Sequence, residues 1–187
     1  MRRKDREMNR DFGLQVIDQA QYGVLSLPEG DGLAYGIPLS IAREGGTLYF
    51  HSAKSGKKTE LIKDGAPVHI TFVGECQVPC VMTESEAAEA ARTPEQFGLL
   101  TSKLFTTEFS SAMVKGVIRC LSEDAEKTHA LRVISQRFTP QWMGYFPQAI
   151  ESGLKLTAVY AVDIKEITAK RKKFDAQGQE MKNQRMG

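Results

Sequence analysis

The chain has 187 residues, of which 41% are hydrophobic and 26% charged, which is typical of one globular domain with a sizeable core. The net charge of +2 is too small to require a nucleic-acid partner, and three cysteines do not make a disulfide framework. The N-terminus carries charge but no apolar h-region behind it, so we expect no signal peptide, and no window approaches the length of a transmembrane helix. We therefore expect a single domain over residues 1–187, cytoplasmic and without a membrane partner, with a polar tail from about residue 171.

Basic residues crowd both ends of the chain. They are Arg2, Arg3, Lys4, Arg6 and Arg10 at one end, and Lys170, Arg171, Lys172, Lys173, Lys182 and Arg185 at the other. Acidic residues accompany both sets, and aromatic residues are not interleaved with them. This pattern favours solvated helix faces or tails and no nucleic-acid partner. The alternative, a nucleic-acid-binding barrel, would show strongly salt-dependent binding.

The first predicted elements are a helix and a strand. Apolar residues at helical spacing predict an amphipathic helix over residues 11–21, with Asp11 as its cap. A strand follows over residues 23–28, and residues 29–32 form a turn.

A hairpin with a cationic loop is predicted next. One strand covers residues 35–42, and the second, over residues 47–51, leads into a polar loop at 52–58 and a short helix at 58–64. Serines, a glycine and the adjacent Lys57 and Lys58 at a helix start suit a phosphate, and the apolar hairpin beside them suits a ring system. The alternative is that both lysines are ordinary solvent-exposed helix residues.

The second half of the chain continues the sheet. Strands are predicted over residues 68–73, 110–120 and 154–164, with Gly116 as a bulge, and a helix over residues 126–137. Residues 85–91 favour helix, Pro94 breaks it, and the segment 76–105 is expected to leave the sheet as a lid or dimer arm. Antiparallel strands without a βαβ rhythm predict a mainly β (α+β) fold, a small barrel with peripheral helices.

Several segments together resemble a known family. They are Tyr35-Gly36-Ile37-Pro38-Leu39, Leu48-Tyr49-Phe50-His51-Ser52-Ala53, Gly56-Lys57-Lys58, the opening Met1-Arg2-Arg3-Lys4-Asp5-Arg6-Glu7 and Ile167-Thr168-Ala169-Lys170. The sequence resembles the flavin-binding split-barrel family of pyridoxamine 5′-phosphate oxidase, and within it the nitroimidazole-resistance (Nim) branch. The resemblance implies an antiparallel split β-barrel that binds FMN as a homodimer, with flavins between the subunits.

The resemblance also implies a function and a set of site residues. The function is a flavoprotein oxidoreductase that passes reducing equivalents to a small acceptor, such as a nitroimidazole or another nitroaromatic; the alternative is a non-catalytic flavin or haem carrier or sensor. The implied cofactor-binding residues are Tyr35, Gly36, Ile37, Pro38, Leu39, Ser40, Phe50, His51, Ser52, Ser55, Lys57, Lys58 and Ser111. The sequence departs from the oxidase pattern at Gly56, which replaces an arginine, and at Ser111, which replaces an amide.

Other residues leave alternatives open. His51 is either a structural histidine or the catalytic proton donor facing flavin or substrate, or an axial ligand if the site holds haem. His69, Cys76 and Cys80 match no strong zinc signature, so no metal is expected. An aromatic cluster, Trp142, Tyr145 and Phe146, is expected to pack in the core or an interface, or to cover a flavin across the dimer.

Overall fold

The computed structural model describes residues 2–182, apart from the side chains of Leu99 and Ser102; Met1 of the opening motif and Arg185 of the basic set lie outside these residues. Eight antiparallel strands form one sheet within this part of the chain. They are β1 Glu7–Met8, β2 Gly23–Pro28, β3 Ala34–Leu39, β4 Ala42–Glu44, β5 Thr47–Ala53, β6 Pro67–Gln77, β7 Glu108–Leu121 and β8 Thr157–Lys172. The helices are α1 Arg10–Gln19, α2 Lys57–Leu61, α3 Glu84–Ala90, α4 Pro94–Leu104, α5 Asp124–Phe138 and α6 Phe146–Gly153.

The order of the strands closes the sheet. The hydrogen-bonded path runs β3-β2-β6-β7-β8-β5-β4, and β1 pairs with β8. The two strands at the ends of this path, β3 and β4, are joined only by Ser40 and Ile41, so the sheet must curl until its two ends meet. Solved structures of the same fold, reported below, confirm the predicted α+β split barrel.

The predicted pairing of the hairpin is wrong. β3 pairs with β2, from Gly23 opposite Leu39 to Pro28 opposite Ala34. Only the short β4 pairs with β5, around the turn at Gly45 and Gly46. The apolar run continues across the corner at Ser40 and Ile41, because Ile41 turns its side chain into the core, so periodicity alone could not reveal the break.

The core fills the barrel interior, and α1 packs against it. The helix buries Val16 and Ile17 against inward-facing residues such as Leu25, Phe72 and Val114. Its N-cap is Asn9, whose side chain accepts a hydrogen bond from the Phe12 amide at 2.9 Å, so the prediction of Asp11 was wrong by two residues.

The long strands β7 and β8 form the centre of the sheet. The predicted bulge is confirmed, because the pairing of these strands shifts register between Lys115 and Gly116. β8 continues past the predicted end at residue 164 to Lys172. Beyond it, Phe174 bridges to Glu180 and is buried, and Glu180 pairs with Arg6 at 2.6 Å, so this part of the predicted tail lies against the N-terminal segment.

The segment between β6 and β7 leaves the sheet as a pair of helices. A capping box at Thr83 and Glu86 starts α3. Pro94 begins α4 instead of breaking a helix, since its missing N–H costs nothing in a first turn. After α5, a short 3₁₀ turn over Pro140–Tyr145 and α6 complete the helices, and α6 was not predicted. No helix within residues 2–182 is long and apolar enough to cross a membrane.

We expect Gly116→Ala to destabilise the fold by about 1–3 kcal/mol through overpacking. A Cβ at this position would lie 2.5 Å from Val162 Cγ1 and 2.8 Å from the Asp163 carbonyl oxygen. Urea unfolding measures the loss, and Gly144→Ala is the matched control, because nothing lies within 4 Å of its added Cβ. Equal stability of the two variants would show that the bulge tolerates a side chain.

Candidate functional site

Two strand edges face an opening in the barrel. β3 has only β2 as a strand partner, and β5 pairs with β4 only over Thr47–Tyr49, so the second half of β5 has a free edge as well. The loop after β5 and helix α2 lie in this opening, where the Lys57 ammonium sits 4.9 Å from the centre of the Tyr35 ring. We call the opening, between β3 and residues 50–53 of β5, the split.

The loop at the split is held by its own backbone. Gly56, at the N-cap of α2, has φ 104°, which favours glycine. The Thr59 amide donates to the Gly56 carbonyl at 2.9 Å, and the Ser52 hydroxyl donates to the Ala53 carbonyl at 2.7 Å. The helix is shorter than predicted, five residues over Lys57–Leu61, so side-chain charge rather than the helix dipole dominates the field here.

The two adjacent lysines differ in their surroundings. Lys57 forms an ion pair with Glu29, in the turn between β2 and β3, and this hydrogen bond raises the pKa of Lys57. Of the two lysines predicted to bind a phosphate, Lys57 is therefore already paired in this conformation. Sequence reasoning missed Glu29, because a turn residue far along the chain gives no local signal of such a contact.

Lys58 carries the uncompensated positive charge of the site, and His51 lies beside it. Burial lowers the pKa of Lys58, and no carboxylate within residues 2–182 pairs with it. Partial desolvation lowers the pKa of His51 first, and repulsion from Lys58 lowers it further, although the imidazole still contacts solvent. An anion placed between these groups would relieve both effects.

The predicted residues of β3 present mainly backbone to the split. Tyr35, Ile37 and Leu39 pack against the core, whereas Gly36, Pro38 and Ser40 are exposed. Pro38 has no N–H to donate, which is tolerated in an edge strand. Backbone groups along the free edge of β3 are therefore the polar atoms available to a flat ligand.

Phe50 contributes no side chain to the site. Its ring is fully buried and stacks on Tyr160, with centroids 4.9 Å apart and planes 20° apart. Only its backbone can face a ligand. Ser52 lies near the end of β5, and Ser55 lies in the loop after it and is exposed.

Ser111 lies apart from the rest of the predicted set. It belongs to β7, three strands from β3 on the path β3-β2-β6-β7, a separation of about 14 Å at the usual strand spacing. Within one subunit it does not join the split. It faces outward beside Val73 and Lys170, on the surface that carries the exposed residues of β3.

The remaining sequence candidates lie outside the split. Cys76 and Cys80 are exposed, and no group of three His, Cys, Asp or Glu residues in the described part of the chain is placed to hold a metal ion. The Trp142 and Tyr145 side chains are 59% and 66% exposed, with ring centroids 6.2 Å apart, so neither packs in the core. Phe146 is buried and carries Arg132 over its ring.

Comparison with known proteins finds a family match in the first half of the chain. Residues 10–78, which include β3, β5, the loop and α2, match the family model described as pyridoxamine 5′-phosphate oxidase. The family resemblance predicted from the sequence is therefore confirmed over these residues. No curated protein matches the sequence.

Solved structures share the fold at low sequence identity. A candidate 5-nitroimidazole antibiotic resistance protein from Bacteroides thetaiotaomicron is 21% identical with a TM-score of 0.65, over 88% of this chain and 86% of that one. An FAD and haem binding protein from Mycobacterium smegmatis is 17% identical with a TM-score of 0.68, over 89% and 73%. The flavocytochrome Anf3 from Azotobacter vinelandii is 19% identical with a TM-score of 0.61, over 88% and 68%. These likenesses establish the fold.

We expect Lys58→Gln to raise the pKa of His51, because it removes the repulsion that disfavours the imidazolium. A proton NMR titration of the His51 ring measures the change. Lys57→Gln is the matched control and should move the titration less, since Glu29 already neutralises that ammonium. A larger shift in the Lys57 variant would contradict this description of the two lysines.

Proposed function

We propose that the chain binds FMN at the split and passes reducing equivalents to a small acceptor. The phosphate lies on the loop at residues 52–58, and the ring system lies along the free edge of β3. The observation that carries the proposal is the half-buried Lys58 beside His51 with no carboxylate partner among the described residues. A phosphate dianion suits this ammonium, and it also stabilises the imidazolium form of His51.

The family match over residues 10–78 and the fold also support a flavin as the ligand. The structural neighbours named above include proteins described as binding FAD and haem, and a further neighbour from Mesorhizobium loti is described as FAD-binding. FMN is favoured over FAD here, because the site offers one compact cationic loop for one terminal phosphate. Lys57 can add a second contact once its ion pair with Glu29 opens.

The residues of the split hold the proposed cofactor and orient its ring system. When bound, FMN supplies one- and two-electron transfer chemistry. Backbone N–H and C=O groups of Tyr35–Leu39 hydrogen-bond the polar edge of the ring system. Gly36 leaves the space above the strand open. A Cβ placed on this residue would have only Val24 Cγ1 within 4 Å, at 3.6 Å.

His51 is the proposed proton donor, and its charge state follows from its neighbours. Its pKa is lowered in the free protein, so the imidazole is neutral at pH 7 and carries one ring proton. A phosphate dianion held by Lys58 raises that pKa, because it stabilises the imidazolium. Cofactor binding therefore increases the fraction of His51 that is protonated at neutral pH, and the imidazolium is the form that donates a proton to an acceptor.

The proposed functional unit is a homodimer. The outer face of the sheet carries one row of residues across five strands, Pro38, Val24, Thr71, Met113 and Thr168. Met113 and Val73 on this face are 49% and 45% exposed, which is unusual for a sheet centre. A second copy seated here would cover them and bring its Ser111 toward the first subunit's split.

A haem or flavin carrier without turnover is the second candidate. Two structural neighbours are described as a haem binding protein and a flavocytochrome, and His51 is exposed enough to ligate iron. Nitroimidazole is the acceptor suggested by the first neighbour's description, and nitroaromatics are therefore the first acceptors to test.

The direct test of cofactor and activity begins with a visible spectrum of freshly purified protein. We expect flavin absorbance, FMN on extraction, and steady oxidation of reduced nicotinamide in the presence of a nitroaromatic. An intense Soret band or flavin without turnover would favour the carrier. Protein that takes up neither FMN, FAD nor haem would overturn the flavoprotein proposal.

We expect Lys58→Ala to weaken FMN binding by about 10- to 100-fold, the usual loss for a charge-assisted hydrogen bond. Lys57→Ala should weaken it less, because that ammonium must first leave Glu29. Lys63→Ala, an exposed lysine just beyond α2, is the control and should bind FMN like the wild type. Flavin fluorescence titration measures all three, and full affinity in the Lys58 variant would place the phosphate elsewhere.

We expect Met113→Glu to convert the dimer to monomers and to reduce FMN retention, since it buries a charge in the proposed interface. Leu156→Glu is the control, because Leu156 is 74% exposed and lies outside the outer face. Light scattering with absorbance detection reports mass and flavin content together. A wild-type monomer that holds FMN tightly would contradict the dimeric site.

A further inference from the structure

A second cavity lies between α1 and the ends of β6, β7 and β8. It measures about 140 Å³, and none of its residues belongs to the split. Its apolar wall consists of Phe12, Val16 and Phe109. Its polar lining consists of Gln15, Gln19, Glu75, Gln77, Glu108, Ser110, Arg171, Lys172 and Lys173.

The inner polar residues of this cavity are already paired. The buried Glu108 carboxylate accepts hydrogen bonds from Gln77 Nε2 at 2.7 Å and from the Phe174 amide at 2.6 Å. These two donors hold the pKa of Glu108 below its usual value. The buried Lys172 ammonium donates to Thr106 Oγ1. Glu108 and Lys172 therefore already have hydrogen-bond partners, and these bonds fix the ends of β7 and β8 around the cavity.

The residues that face the opening are unpaired. The half-buried Arg171 guanidinium lies over the Phe12 ring, with Cζ 5.7 Å from the ring centre, and has no hydrogen-bond acceptor or ion-pair partner within residues 2–182. The Ser110 hydroxyl and the amides of Gln15 and Gln19 also lack partners in that part of the chain. A planar cation with free donors beside an aromatic ring is suited to a carboxylate.

The backbone is shaped to leave Ser110 in place. A Cβ on Gly74 would lie 2.2 Å from Ser110 Oγ, so only glycine permits this side chain to sit where it does. Gly74 also lies in the irregular stretch of β6 between Val73 and Cys76, where the pairing with β7 shifts register. Bulges of this kind frequently redirect a side chain toward a site.

We propose that this cavity binds a planar monocarboxylate with one small ring, of about the size of benzoate. Its volume is close to that of a cavity of about 150 Å³ that holds benzene. The ring lies against Phe12 and Phe109, and the carboxylate meets the fork of Arg171 beside the Ser110 hydroxyl. The lining carries the cations Arg171, Lys172 and Lys173 and the carboxylates Glu75 and Glu108, so its formal charge of about +1 suits a monoanion better than a phosphate dianion.

The test uses 4-fluorobenzoate as a probe and fluorine NMR of the full-length protein. We expect saturable binding with a dissociation constant of about 1 mM or lower. Neutral 4-fluorobenzamide should bind about tenfold more weakly or worse, because it cannot form the charge-assisted pair. Inorganic phosphate should not displace the probe.

Variants assign the binding to Arg171. Arg171→Gln should weaken binding of the probe by about tenfold or more. Arg171→Lys should also bind the probe more weakly, because it loses the bidentate fork. Arg132→Gln is the matched control, since Arg132 also stacks on a phenylalanine, Phe146, at 4.6 Å but outside the cavity. Thermal unfolding of each variant separates lost binding from lost folding.

Three results would overturn the proposal. The first is that the wild type does not bind the probe at about 10 mM. The second is that the wild type and the folded Arg171→Gln variant bind it equally well. The third is that this variant loses FMN. The last result would make the cavity part of the flavin cleft rather than a separate site. The proposal does not depend on the flavin site, and FMN content measured on the same samples keeps the two outcomes distinct.

Discussion

The corner at Ser40 and Ile41 is the constraint on which the structure depends. It divides one apolar run into β3, which pairs with β2, and β4, which pairs with β5. These two strands lie at opposite ends of the strand path. The sheet must close on itself, yet β3 and the second half of β5 stay apart. Helix α2 and its loop lie in that gap, and this places Lys58 and His51 beside a free strand edge.

The charges around this gap favour an anionic ligand. A cation that is partly desolvated and lacks a carboxylate costs free energy in the folded protein, and a bound anion recovers it. Glu29 already supplies that compensation to Lys57 but not to Lys58. The proposed phosphate would therefore meet one available ammonium, Lys58, and one that must first leave Glu29, so the turn at Glu29 belongs to the proposed binding loop.

Much of this architecture follows from local sequence patterns. The strands, the bulge at Gly116 and the cationic loop at 52–58 have local signals, and the family resemblance connected them to a split barrel. The pairing of β3 and the contact between Glu29 and Lys57 have none, because both are set by tertiary closure. The core orientation of Phe50 is visible in hindsight, since alternation along β5 places Leu48 and Phe50 on one face.

The central claim is that the cationic loop recognises a phosphate, and one ligand pair isolates that group. FMN and riboflavin share the same ring system and differ only in the terminal phosphate. Titration of the purified protein with both should show FMN binding at least about 100-fold more tightly, as expected for two charge-assisted contacts. Equal affinities would mean that Lys58 and its loop do not hold the phosphate, and the account of the split would be wrong.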